Sequence, residues 1–371
     1  MSITLHSFAK INLGLKIGPP RADSFHELRT IYQTIALHDV VRVDIAEGEG
    51  IEIRCDDPRV PRDATNTCWK VAERVLKLIG PRGLKSAREN SEGEHIGAPE
   101  DAPFRKVVIM IEKRLPVQGG MGAASSNAVA TMLGLEHAFG IELTPQDKLR
   151  IAAEVGSDLP LFLIGGTVLG VDRGQEVYPL QDLPEIPLVV VTPTVGVSTP
   201  KAFAQWDALL DRADTDEALS VASYEMAQSA LTVPNVTGTI REFDQAVYAW
   251  WSKGFLSQSS DVKVPASGVP AEGGDRAETP LLDLVQTGIE NDFERVVFPE
   301  YPELREVKSV LQREGARYAS LSGSGSTLYG LFDSPDVAEA AAVRMRAAGH
   351  AAVATRTVGR AEYWKQLAIS D

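Results

Sequence analysis

Cysteine is nearly absent from this 371-residue chain: Cys55 and Cys68 stand alone, outside any C-x-x-C pair. That excludes a disulfide scaffold and a zinc or dithiol motif, and it suits a reducing cytoplasm, where we expect the protein to reside. Basic residues are also in deficit. Lys and Arg total 37 against 51 Asp and Glu, a formal net charge of −14, which argues against nucleic-acid or anionic-membrane partners. No apolar run is long enough to span a membrane. The chain opens directly on an alternating strand, so no signal or transit peptide is expected. Its six histidines have no metal-ligand spacing, so no dedicated metal site is predicted. No Gly-Lys-Ser/Thr follows a glycine loop, no strand leads into G-x-G-x-x-G, and there is no G-x-S-x-G. Those absences exclude a Walker A loop, a dinucleotide fold and a nucleophile elbow. What remains, at 44 % hydrophobic and 24 % charged residues, is an ordinary globular composition with length for two domains.

The stretch that stands out is Pro116 to Asn127, PVQGGMGAASSN. It follows an apolar run, Val107 to Ile111, read as a buried strand. It precedes Ala128 to Phe139, whose apolar spacing predicts a helix. A strand, a loop of glycines and small residues, then a helix can bind phosphate, because the backbone approaches closely and the first-turn N–H groups face the oxygens. The same layout also serves as a turn that packs helix on sheet. In so acidic a chain, an anion must be held by such N–H groups and a few lysines.

Taken in order, Ile3 to Ile17 reads as strand. Ile11, Leu13, Leu15 and Ile17 are expected on one face, with Lys10, Asn12 and Lys16 on the other, where strand lysines are commonly solvated. A turn at Pro19 to Asp23 leads into strand from Phe25 to Ile35, and alternation recurs at Val41–Ile45 and Ile51–Ile53. Thr65 to Ile79 is helical by spacing, with Gly80 as its stop. Residues 81–105 are polar, lack periodicity and read as a surface insertion. Thr144-Pro145 caps a helix to Val155. Thr167–Val171 and Glu176–Leu180 form a hairpin across Arg173-Gly174. Thr199-Pro200 caps a helix to Leu210. The range 211–280 is irregular, with a helical candidate at Ile240 to Trp251 and a Ser/Gly/Pro-rich linker after Ser257. Helices to Phe298 and from Tyr301 to Glu314 precede a closing β-β-α-β order. That order suggests helices on one face of an antiparallel sheet.

Pro116, Gly120, Met121, Gly122, Ser125 and Ser126 match P-x-x-x-G-(L/M)-G-x-x-S-S, by which the chain resembles the GHMP kinases. Within that superfamily it is most similar to the 4-diphosphocytidyl-2-C-methyl-D-erythritol kinases. The likeness is carried by Ala9–Leu13 with Arg21–Leu28, by Lys113–Pro116 running into the loop, by Gly156–Pro160 with Phe162, and by Leu321–Gly325. Ser24 departs from the glycine usual there, so that turn is expected to take negative φ. The resemblance implies a two-domain α+β fold. Residues 1–180 would form the nucleotide-binding, catalytic domain (ribosomal protein S5 domain 2-like, with the 81–105 insertion). Residues 181–371 would form a ferredoxin-like α/β sandwich holding the substrate, with the irregular insertion at 211–280.

The resemblance also implies roles. Lys10 and Asp158 would be catalytic, although Asp158 alone reads equally well as a helix N-cap. ATP, with Mg²⁺, would be held by Asn66, Lys113, Pro116, Val117, Gln118, Gly119, Gly120, Met121, Gly122, Ala123, Ala124, Ser125, Ser126 and Asn127, closed over by Gly323, Ser324 and Gly325. Asn12, Phe25, His26 and Phe203 would bind the small-molecule substrate, 4-diphosphocytidyl-2-C-methyl-D-erythritol. Phe25 and Phe203 would sandwich its pyrimidine, unless Phe203 simply faces the core of its helix. A monomer or weak homodimer is expected. Other readings are another GHMP small-molecule kinase, of the homoserine or mevalonate type, or a non-catalytic ligand sensor.

Overall fold

The computed structural model describes residues 2–83, 88–89, 95–96, 105–117, 119–220 and 290–369. The helical candidate at Ile240 to Trp251 and the linker after Ser257 lie outside these residues, as does Gln118.

Two long strands carry the first sheet: β1 (Ser2–Pro20) and β2 (His26–Glu47), paired antiparallel along most of their lengths. With β3 (Ile51–Cys55) and β6 (Arg105–Glu112) the sheet runs β1-β2-β6-β3, and the hairpin β7 (Thr167–Val171) with β8 (Glu176–Pro179) joins β2. Helices α1 (Thr67–Gly83), α2 (Ala123–Phe139) and α3 (Pro145–Val155) supply apolar residues to its core beside Val41, Val43, Val107 and Ile109. Helix α1 is broken at Gly80, whose φ of 64° matches the stop read from sequence. Thr144 caps α3 by accepting from the Asp147 N–H, as its sequence predicts. Gly134 lets α2 lie against the sheet, because a Cβ there would come within 2.6 Å of Val43. Inside the 81–105 range the short strands β4 (Arg88–Glu89) and β5 (His95–Ile96) pair with each other, a structure the polar sequence does not announce.

The second sheet has the order β10-β11-β9-β12, all antiparallel, from β9 (Pro187–Val191), β10 (Tyr318–Leu321), β11 (Leu328–Leu331) and β12 (Ala352–Arg356). One face is covered by α5 (Thr199–Ser220), α6 (Glu294–Glu300), α7 (Pro302–Arg313) and α8 (Pro335–Ala347), through Trp206, Val297, Leu304, Leu311 and Ala342. Its other face turns Leu188, Val190, Tyr329 and Leu331 onto Ile11, Leu13, Ile31 and Met121 of the first. The two sheets thus share an apolar seam. The chain then returns: α9 (Arg360–Leu367) and β13 (Ala368–Ile369) lie on the first sheet, with Leu5 paired to Ala368.

The expected single face from Ile11 to Ile17 is not what forms. The register slips between Asn12 and Gly14, a β-bulge that leaves Leu13 without a partner on β2. One extra residue inverts the alternation, so Leu15 joins Lys10 and Asn12 along one cleft and enters the second core together with Ile17. Lys10, Asn12 and Lys16 are only 3 %, 2 % and 6 % exposed: Lys10 and Asn12 bond each other in the cleft beside Asp158, and Lys16, past the bulge, bonds Asp292. The carbonyls the bulge frees are met from the other sheet: Tyr329 Oη donates to Asn12 O at 2.7 Å and Tyr318 Oη to Leu13 O at 2.9 Å. The turn before β2 also differs from expectation. Ser24 takes a φ of 66°, held by Ser24 N to Arg21 O and Arg21 N to Phe25 O, so the position needs the left-handed region that glycine otherwise supplies.

Candidate active site

Helix α2 begins at Ala123, five residues before its apolar periodicity starts, so Ser125 and Ser126 are helical and Gly122 (φ 68°) is the N-cap with no side-chain cap. The first-turn N–H groups of such a helix have no partner within it, and the first-turn residues Ala123, Ala124 and Ser125 line a cleft of about 360 Å³. Asn66, Lys113, Pro116, Val117, Gly119 through Ser125, and Asn127 all line it. Ser126 does not; it is 2 % exposed on the inward face of α2. Asn66 caps α1, accepting from Cys68 N at 2.8 Å and donating to Pro61 O, so its amide serves the fold first. A Cβ on Gly122 would strike Phe162 and the Lys10 stem, so this glycine is required by packing and φ, not by approach to a phosphate.

The residues flanking the Gly-Ser-Gly tripeptide bond the glycine loop, while Gly323 and Ser324 line a neighbouring cleft and not this one. Ser322 Oγ donates to Gly120 O at 3.0 Å and Thr327 N to Gly119 O at 3.3 Å. Asn291 fixes the tripeptide by donating to Leu321 O and Gly323 O, both at 2.8 Å. Thr199, expected as a helix cap, instead bonds Ser324 Oγ at 2.7 Å, while Ser198 O accepts the first helical N–H, from Ala202.

On the other side of Gly120 lies a second cleft of about 640 Å³, and Gly120 lines both. Here Lys10 Nζ stands 3.3 Å from Asp158 Oδ2 and donates to Asn12 Oδ1 at 2.7 Å. Asn12 in turn donates to Thr30 Oγ1, which donates to Gly14 O. Asp158 precedes the short helix α4 (Leu159–Phe162), yet its carboxylate caps nothing; it accepts from Tyr32 Oη at 3.2 Å. Burial, and then the Asp158 charge, push the Tyr32 phenol well above its ordinary range, so it stays a donor. Sequence reading missed Tyr32, although strict alternation from His26 along β2 reaches it through Leu28 and Thr30.

At the far end of this cleft His26 Nε2 donates to Asp207 Oδ1 at 2.6 Å and stacks on Phe203, with centroids 4.9 Å apart and planes 14° from parallel. Phe203 also meets Phe293 edge-on at 5.0 Å. Phe25 is 51 % exposed, with the Arg173 guanidinium 4.9 Å over its ring. Both phenylalanines line the cleft, but the ring against Phe203 is His26 and not Phe25. Asp207 and Arg173 were not singled out in the sequence; Asp207 stands one helical turn after Phe203, the spacing at which it shares Phe203's face.

Among the described residues no group of three or more His, Cys, Asp or Glu could hold a metal ion, and no helix is long and apolar enough to cross a membrane.

Two family descriptions match: GHMP kinases N terminal domain over residues 66–166 and GHMP kinases C terminal over residues 279–351. A 4-diphosphocytidyl-2-C-methyl-D-erythritol kinase of Acaryochloris marina is 30 % identical over 346 residues, covering 93 % of this chain and 92 % of the relative. One of Solibacter usitatus is 32 % identical over 337 residues, 90 % and 83 % of the two chains. The chain belongs to this family of GHMP kinases. A solved 4-(cytidine 5'-diphospho)-2C-methyl-D-erythritol kinase shares the fold at TM-score 0.60 and 23 % identity, over 96 % of this chain and 99 % of that one. A homoserine kinase of Cytophaga hutchinsonii does so at 0.59 and 17 %, over 96 % and 95 %. The expected two-domain α+β GHMP fold is therefore the fold observed. As a GHMP kinase the chain is an ATP-dependent phosphotransferase.

Proposed function

We propose that this GHMP kinase transfers the γ-phosphoryl group of ATP to the 2-hydroxyl of 4-diphosphocytidyl-2-C-methyl-D-erythritol, in isoprenoid precursor biosynthesis. The observation that carries the reading is that two clefts meet at Gly120. One is floored by a helix N-terminus suited to phosphate; the other holds the Lys10–Asp158 pair and, at its far end, stacked rings suited to a base. The names of the relatives support the choice of alcohol.

In this reading the triphosphate lies over the first turn of α2, with Ser125 and the Gly323–Gly325 strap beside it. The substrate hydroxyl sits against Asp158. Its oxygen forms the new O–P bond as the β–γ bridging P–O bond breaks, ADP leaves, and the hydroxyl proton passes to Asp158. Lys10 neutralises charge on the transferring group and holds Asp158 in place through its own tie to Asn12. Because no carboxylate cage stands among the described residues, Mg²⁺ fits only as a companion of the phosphates, with the Ser125 hydroxyl as the cleft's hard oxygen. When bound it would neutralise phosphate charge.

At the other end, an ionised carboxylate only accepts hydrogen bonds, so Asp207 fixes the proton on His26 Nε2. In the neutral ring Nδ1 is then an acceptor, which matches the exocyclic amine of cytosine and opposes the oxo group of uracil. The deciding experiment offers the protein ATP with this alcohol, homoserine and mevalonate in turn. Phosphate should appear on the 2-oxygen of the first by phosphorus NMR. Preferred turnover of either of the others would replace this reading.

A further inference from the structure

Asp39 is fully buried at the foot of the glycine loop, and nothing in the transfer chemistry uses it. Its two oxygens divide their work. Oδ1 accepts from Arg114 N and Leu115 N, each at 2.7 Å, which pins the chain as it leaves β6 for the loop. Oδ2 accepts from Lys113 Nζ and, at 3.0 Å, from Asn127 Nδ2 on α2. Lys113 and Asn127 both line the nucleotide cleft, one on the chain just past β6 and the other on α2. A buried carboxylate is tolerated only when charge and hydrogen bonds compensate it, and every compensating group here is part of the cleft or of the chain entering its loop.

We infer that Asp39 is a positioning residue for the nucleotide: its Oδ2 ties the chain leaving β6 to helix α2 and aims the Lys113 ammonium. An ammonium has three donors, so holding one on Asp39 sets the direction in which the other two face the cleft. Asn127 is oriented by the same oxygen. A carboxylate takes only donors, so the amide nitrogen must face Asp39 and the amide oxygen must face away. This inference rests on ATP occupying the 360 Å³ cleft.

The test replaces one oxygen and leaves the other. In Asp39→Asn the amide oxygen still accepts from Arg114 N and Leu115 N, while the new NH₂ meets two donors and releases Lys113 and Asn127. Binding of a non-hydrolysable ATP analogue, measured by calorimetry, should weaken about tenfold or more, the scale of one lost charge-assisted hydrogen bond. The KM of the alcohol should stay within about twofold. Lys113→Met should weaken analogue binding too, and the double variant should lose less than the two single losses combined, since both break the Asp39–Lys113 pair. Unchanged analogue affinity in folded Asp39→Asn, or equal losses for analogue and alcohol, would overturn the assignment. Should Asp39→Asn not fold, Lys113→Met and Asn127→Ala decide, and wild-type analogue affinity in both would overturn it. Ala124→Glu, at an exposed position of the cleft wall, separates the two levels of the argument. If it leaves analogue binding intact the cleft itself is wrongly assigned. If it abolishes binding while Asp39→Asn does not, only the role of Asp39 falls.

Discussion

Lys10 and Asp158 face each other at 3.3 Å with unequal exposure: the lysine side chain is 3 % accessible and the carboxylate 34 %. The ammonium is locked by Asn12 and by the ring of Tyr32, 5.4 Å away, while the carboxylate keeps an open side toward the substrate cleft. That asymmetry fits a fixed charge clamp beside an acceptor that a hydroxyl can reach. Asp158→Asn and Lys10→Met should each lower kcat by about two orders of magnitude, the scale of a lost general base or charge clamp. Methionine keeps the buried volume, so folding should persist. Steady-state turnover beside a thermal melt checks both, and near-normal kcat in either removes that residue from the chemistry.

Gly120 separates the clefts, and its φ of 78° lies in the left-handed region that glycine adopts without strain. A Cβ there would lie 2.2 Å from the Ser322 carbonyl oxygen, which belongs to the other domain's backbone and cannot swing aside. Gly120→Ala should therefore push the two loops apart and lower kcat/KM by about 10²-fold, as a misplacement near 1 Å does. Gly140→Ala, where the space is open though φ is also positive, is the control for strain alone. Equal losses in the two variants would mean that loop contact is irrelevant.

What could be read from the sequence was local. The glycine loop, Lys10 and Asp158 sit in contiguous motifs, and most of the longer strands show as apolar alternation or a short apolar run. What could not be read depends on partners distant in the chain. The bulge at Leu13 exists only against β2, so the burial of Lys10, Asn12 and Lys16 could not be seen in β1. Asp39 is one polar residue in a strand until Lys113, Arg114, Leu115 and Asn127 converge on it. The first turn of α2 is Ala-Ala-Ser-Ser, small residues with no helical stripe, which hid its true start. Strand β13 is two residues long, too short for any periodicity.

Buried phenols and a buried thiol make a prediction at high pH. Burial raises the phenols of Tyr32, Tyr329 and Tyr363 above their ordinary range and pushes the Cys68 thiol up to about 12. Each holds its proton more tightly folded than unfolded, so the contribution to stability is complete below the unfolded value and is lost as pH rises above it. Between about pH 10 and the folded value, each phenol should cost about 1.4 kcal/mol per pH unit. Tyr329→Phe should lower stability at neutral pH by about 1–3 kcal/mol through the orphaned Asn12 carbonyl. It should also flatten the alkaline slope by that 1.4 kcal/mol per unit. Denaturant melts from pH 8 to 11 measure both, and an unchanged slope would show that the Tyr329 phenol titrates normally.

The last prediction concerns how the base is chosen. His26 is held on two sides, by Asp207 at Nε2 and by the face of Phe203. Truncating Phe203 to Ala removes the platform beneath the imidazole, and substrate affinity should fall by about 0.5–1.5 kcal/mol, the worth of one aromatic pair. Affinity for ATP should not change, because Phe203 lines only the 640 Å³ cleft. Asp207→Asn is the sharper test. An amide can present its NH₂ to His26 Nε2, which lets the proton sit on Nδ1 and turns the base-reading atom from acceptor to donor. The preference for the cytidine substrate over its uridine analogue should then shrink or reverse, while kcat on the cytidine substrate falls less than its KM rises. His26→Ala should abolish the preference altogether, leaving two weak substrates of similar kcat/KM. Comparison of kcat/KM for the two nucleotide alcohols in each variant checks the scheme, and an undiminished cytidine preference in His26→Ala would place base discrimination elsewhere in the cleft.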